Sequence, residues 1–163
     1  MNKYDNVKEF LNSPNIQGYL QEENMNEIFE IWLNTYHQNY QILIEFFETE
    51  CGINPLAFMD YLPYGYFYHN KANELHIPDG ITDLCPNSIY GCKNLETIYL
   101  PNSITFLQED AISNCPNLKY IVYEGTKSDF QNLQLEDFTE GEKVIIQCDD
   151  GDINWNDEDF EWE

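Results

Sequence analysis

Leu95-Glu96-Thr97-Ile98-Tyr99-Leu100-Pro101-Asn102-Ser103-Ile104 is the stretch whose reading decides the fold. It alternates apolar and polar residues as a half-buried strand does, then breaks at a Pro-Asn turn. Sliding the chain against itself by 23 residues shows that the stretch recurs. Leu75 falls on Ile98, Ile77 on Leu100, Pro78 on Pro101, Ile81 on Ile104, Thr82 on Thr105 and Leu84 on Leu107. Ile89 then falls on Ile112, Cys92 on Cys115, Asn94 on Asn117, Leu95 on Leu118 and Ile98 on Ile121. Eleven matches at one offset, with no gap, identify a repeat array in which neighbouring units stack their strands in parallel. A further step of 23 places Ile121 on Val144 and Tyr123 on Ile146, so a degenerate final strand is expected over 144–148.

Working outward, the pattern Leu95-x-x-Ile98-x-Leu100-Pro101-x-x-Ile104-x-x-Leu107-x-x-x-Ala111-Ile112-x-x-Cys115-x-x-Leu118 resembles the BspA-type leucine-rich repeat. Ile112 stands where that family usually has phenylalanine. The run Tyr123-Glu124-Gly125-Thr126, followed by Asp129 and Phe130, looks like the family's closing motif, and Ile145 to Gly151 is similar to its last strand and Asp-Gly turn. The resemblance implies a solenoid used for binding. Many such proteins are long secreted adhesins, and this chain, with two clear repeats behind a helical segment, is more similar to short phage and prophage forms.

Upstream of the array, residues 1–70 read as helices. Ser13-Pro14 is an N-cap followed by proline at the first helical position, and Asn24 or Asn26 can cap a stripe of Ile28, Ile31 and Trp32. A third run carries Tyr40, Leu43, Ile44 and Phe47 to Cys51-Gly52, and Asn54-Pro55 restarts a helix through Leu56, Phe58, Met59 and Leu62. The expected fold is therefore α+β: an N-terminal helical cap over 1–70, then a short leucine-rich-repeat solenoid with a parallel sheet over 71–148, with its clear repeats at 75–123. An acidic aromatic C-terminal tail over 149–163 follows, and removing 152–163 is expected to spare the last repeat strand.

Charge narrows the function. Thirty acidic residues face seven lysines, arginine is absent and the net charge is −23. Such a field repels phosphate backbones and anionic headgroups, so neither direct nucleic-acid binding nor membrane-surface binding is expected. It attracts basic surfaces, including the grooves in which other proteins hold nucleic acid. No apolar run approaches the length of a membrane span, and the first residues lack the apolar stretch of a secretory signal, so a cytoplasmic protein is expected, in the host cytoplasm if phage-encoded.

Chemistry is sparse. Cys85, Cys92 and Cys115 have no common zinc-ligand spacing, and Cys92 and Cys115 share one repeat position, which reads as an inward ladder of thiols. Cys51 and Cys148 are isolated. His37, His69 and His76 lie in no local nucleophile or metal signature, and His76 alternates with Leu75 and Ile77 so as to point outward. No metal, cofactor or catalytic residue is expected. The candidate partner-binding residues are Asp149, Asp150, Asp152, Trp155, Asp157, Glu158, Asp159, Phe160, Glu161 and Trp162, where carboxylates can meet Lys and Arg while aromatic rings supply anchors. The expected function is a noncatalytic interaction module for a basic protein partner, such as a phage-encoded inhibitor that mimics nucleic acid against a host nucleic-acid-binding or defence protein. The alternatives are a scaffold that recognises its partner by shape, and a cysteine-dependent enzyme.

Overall fold

The computed structural model describes residues 2–36, 40–139 and 143–155. The chain divides into two compact units, Met1–Asp60 and Tyr61–Glu163. The first holds α1 (Asp5–Asn12), α2 (Pro14–Gln21), α3 (Met25–Tyr36), α4 (Gln41–Thr49) and a 3-10 turn at Pro55–Phe58. Its core is aromatic: Phe10 meets Trp32 edge-on at 5.2 Å between ring centroids, and Phe29 meets Tyr40 at 5.0 Å. Asn24 is the residue that caps α3, its Oδ1 accepting from the Glu27 amide, whereas the Asn26 Oδ1 accepts from the Asp60 amide. Ser13 precedes Pro14 as expected, but its hydroxyl donates back to the Phe10 carbonyl instead of capping α2.

The second unit is a parallel β-solenoid of about four turns, assembled from short strands that stack into three sheets. One sheet stacks β1 (Tyr61–Leu62), β3 (Asp83–Leu84), β6 (Phe106–Leu107) and β9 (Gln134–Leu135). A second pairs β4 (Ile89–Tyr90) with β7 (Ile112–Ser113). The third runs β2 (Glu74–His76), β5 (Thr97–Leu100), β8 (Tyr120–Tyr123), β10 (Val144–Cys148) and β11 (Gly151–Trp155), with only β11 antiparallel. Leu75, Ile98, Ile121, Ile146 and Ile153 form one buried ladder across this sheet. Burying each such side chain stabilises by about 1.5–3 kcal/mol, which is the main return for ordering so short a strand.

Successive turns align because their corners repeat a left-handed backbone. Gly65, Asn87 and Asp110 have φ of 73°, 53° and 54°, and His69, Gly91 and Asn114 have φ of 52°, 68° and 54°. Gly, Asn and Asp are the residues that tolerate this region most readily, so the corner positions select them. Each corner amide then reaches the turn above: Gly65 donates to Asn87, Asn87 to Asp110 and Asp110 to Asp137, at 3.0, 2.8 and 2.9 Å. Gly91 carries a second demand, since a Cβ there would lie 2.8 Å from the His69 ring.

Turn length varies where the sequence repeat fades. Leu62 pairs with Leu84, so the first turn is one residue shorter than the 23-residue step from Leu84 to Leu107. Residues 61–70, read from sequence as helical, therefore carry a strand and the first pair of corners, and Leu62 belongs to β1. In the last turn, α5 (Lys127–Gln131) is inserted between β8 and β9. Ile121 consequently pairs with Ile146 and not with Val144 as the fixed step implied, because the added helix lengthens the return path. Gly151–Trp155 is the other correction. It is a strand hydrogen-bonded along β10, with Ile153 and Trp155 buried, so the segment that continues past the last repeat strand is core as far as Trp155.

The cysteine ladder lies inside. Cys92 and Cys115 are buried thiols outside any disulfide that donate to backbone carbonyls, Cys92 to Phe67 at 3.0 Å and Cys115 to Ser113 at 3.4 Å. The Cys115 thiol beside it, together with burial, pushes the Cys92 thiol far above the ordinary range. Burial also raises Cys51 and Cys148.

These contacts set three expected outcomes. Gly91→Ala, forced into positive φ against the His69 ring, should lower unfolding stability by at least about 1–2 kcal/mol in urea titration, and His69→Ala should restore part of the loss. An unchanged midpoint would contradict the corner geometry. Native alkylation followed by mass spectrometry should label the exposed Cys51 first and leave Cys92 and Cys115 unmodified, because only the thiolate reacts; labelling of Cys92 at the rate of a free thiol would contradict it. Trp155→Ala should cost about 3–5 kcal/mol, whereas truncation after Trp155 should leave thermal unfolding of the solenoid nearly unchanged.

Candidate interaction surface

Exposed carboxylates gather where β10 turns into β11. Strand alternation points Asp152 and Asn154 outward and Ile153 and Trp155 inward, as a period of two requires. Asp149 and Asp150 form the turn itself and are exposed. Two hydrogen bonds tie the turn to the preceding segment: the Asp149 amide donates to the Gly125 carbonyl at 2.8 Å, and Asp150 Oδ1 accepts from the Lys127 amide at 2.7 Å.

That preceding segment opens α5 with a reciprocal cap. Thr126 Oγ1 accepts from the Asp129 amide at 3.1 Å while Asp129 Oδ2 accepts from the Thr126 amide at 2.9 Å. The two bonds satisfy free amide groups at the helix start. They also hold the Asp129 carboxyl below its usual range, first through the Thr126 backbone and then through its hydroxyl. Nearby groups register the field of the cluster. Burial raises the Tyr123 hydroxyl, and Asp129, Cys148 and Asp149 raise it further. Burial likewise raises the Cys148 thiol, with Asp150, Asp149 and Asp152 adding to the effect and Lys127 opposing it.

Asp149, Asp150 and Asp152 thus lie around Cys148 together with Lys127, whose stem lies over Gly151, and Asp129 and Asp149 both act on Tyr123. The turn brings together three of the residues singled out from sequence, Asp149, Asp150 and Asp152. Trp155 does not join them: it is 4% exposed and packs 4.8 Å from Phe138, which makes it a core residue of the hairpin and not an interface anchor. Asp157, Glu158, Asp159, Phe160, Glu161 and Trp162 lie outside the described residues. Sequence reasoning passed over Asp129 and Lys127 as site residues, although Thr126-x-x-Asp129 ahead of Phe130 is a legible capping pattern.

Such a surface can attract guanidinium and ammonium groups. Among the described residues, no group of three or more His, Cys, Asp or Glu is placed to hold a metal ion. His69 is spent on the corner beside Gly91, and His76 stacks on Tyr99 at 4.2 Å on the exposed sheet face, 3.5 Å from Glu74. His37 lies outside the described residues. No helix of the described residues is long and apolar enough to cross a membrane.

No curated protein and no solved structure matches the chain. A family model does: the BspA type leucine rich repeat region aligns over residues 50–152, in six copies. Repeats of this kind generally serve as protein-interaction scaffolds and are typically noncatalytic. The matched span covers more than half of the sequence and the same residues that stack as turns, and the chain belongs to the BspA type leucine rich repeat family.

Proposed function

We propose that this protein is a noncatalytic cytoplasmic module that captures a basic protein partner through the acidic surface around the β10–β11 turn. The observation that carries the reading is the exposure of Asp149, Asp150 and Asp152 beside Asp129, on a chain of net charge −23. Carboxylates fixed on a hydrogen-bonded turn keep their spacing when a partner arrives, so less ordering entropy is lost on binding. The field of the whole chain adds long-range attraction, which raises encounter rates.

A basic groove that normally holds nucleic acid is the surface such a field complements best. B-DNA presents about one charge per 1.7 Å of axis, and dense surface carboxylates are the protein counterpart of that array. The partner class is therefore a nucleic-acid-binding protein, and the consequence of capture is inhibition, the activity a phage-encoded protein would direct at a host nucleic-acid-binding or defence protein. A second reading, recognition by shape, draws on the outward-facing row of exposed His76 and half-buried Tyr99 and Val122 on the five-stranded sheet.

Salt and competition separate the two. Protein captured from lysate by immobilised chain should be released as ionic strength rises and displaced by duplex DNA. Replacing Asp149, Asp150 and Asp152 together by Asn should slow its association on the order of tenfold at low salt. Capture insensitive to salt, to DNA and to the triple substitution would overturn the electrostatic reading in favour of shape recognition.

A further inference from the structure

Among the described residues, no strand lies beyond β11 in the order β11-β10-β8-β5-β2, so one edge of β11 is open. The hydrogen bonds of β10 show which groups line that edge. The amides of Ile145 and Asp149 donate to Lys119 and Gly125, at 2.9 and 2.8 Å, on the side of β8. Ile145 and its register partner Asn154 are therefore a non-hydrogen-bonded pair, and so are Gln147 and Asp152 two residues along. In such a pair the backbone groups turn away from each other. Asp152 and Asn154 thus direct their N–H and C=O groups along the open edge, while their exposed side chains stand on the opposite face of the sheet from the buried Ile153 and Trp155.

An edge of this kind is a template for a further strand, and charge selects which strand. Asp150 and Asp152 are exposed at its start and Asp149 lies beside them in the turn, outnumbering Lys127 over Gly151. A second copy would set two chains of net charge −23 against each other, whereas a basic segment is drawn in.

We propose that an extended basic segment of the partner adds to β11 as a further, antiparallel strand, a mode that rests on the electrostatic reading above and specifies how that surface is engaged. Antiparallel addition is the slightly stronger pairing per residue. A residue that exchanges both backbone bonds with Asp152 lies about 5.5 Å from it between Cα atoms and on the same face, which sets lysine or arginine opposite the carboxylate. Its neighbours fall on the face of Ile153 and Trp155, where apolar side chains fit. The recognised class is therefore a segment that alternates basic and apolar residues.

A labelled octapeptide of alternating lysine and valine, compared with the same peptide N-methylated at every lysine amide, separates strand addition from attraction alone, since both carry the same charge. Anisotropy titration of the full chain at low salt should show the methylated peptide at least about tenfold weaker, as expected when two or more hydrogen bonds of ordinary net strength are lost. Saturation with the unmethylated peptide should slow hydrogen exchange of the Asp152 and Asn154 amides by a similar factor. Asn154→Pro removes an edge donor at a place where proline is tolerated, and should weaken the unmethylated peptide with thermal unfolding unchanged; the comparison of peptides needs no variant. Equal, salt-sensitive binding of both peptides would overturn strand addition and leave the electrostatic reading standing, while failure of both to bind at low salt would overturn the two together. Asp152 and Asn154 amides already protected without peptide would show the edge filled and would also overturn the proposal, in favour of a second copy if that protection grows with protein concentration.

Discussion

Hydrogen bonding from one turn to the next is the constraint on which the second unit depends. A strand of two residues, such as Asp83–Leu84 or Ile89–Tyr90, has no stability of its own. It persists because the turn above presents carbonyls at the right height, and that requires each turn to bend at the same places. The left-handed corners at Asn87 and Gly91, repeated at Asp110 and Asn114, supply the bends. Once the corners are set, the leucine and isoleucine ladders meet without adjustment and Cys92 and Cys115 fall into the interior, where their thiols donate to carbonyls.

The same constraint explains how much of the fold is legible in the sequence. Between Leu75 and Tyr123 every turn has one length, so a single offset aligns eleven positions and the parallel register of Leu75, Ile98 and Ile121 follows directly. The first turn is hidden because it is one residue shorter and because aromatic residues, Tyr66 to Tyr68, occupy it where aliphatic ones mark the later turns. The last is displaced by α5, which the offset search cannot anticipate. Corner hydrogen bonds tolerate both changes, since they fix where a turn bends and not how many residues it spends between bends.

The acidic surface was only partly legible. A run of carboxylates is visible in any sequence, but the exposure of Asp152 and the burial of Trp155 follow from strand alternation in a hairpin that closes the sheet. Asp129 joins the cluster because the start of α5, which it caps, is tied to the turn by the Lys127 amide donating to Asp150, a bond across 23 residues that no local pattern announces. The solenoid thus serves the surface by holding the turn in place, through the hydrogen bonds from Asp149 to Gly125 and from Lys127 to Asp150.

Native-state hydrogen exchange tests the central claim most directly, because it reads the inter-turn bonds one amide at a time. If the corners hold the solenoid together, the amides of Asn87, Gly91 and Asp110 will exchange through the same opening, and with the same free energy, as those of Ile98 and Ile121 in the ladder. Corner amides that exchange at unprotected rates while the strand amides remain protected would show that the turns are held by their apolar ladders alone, and would contradict the account.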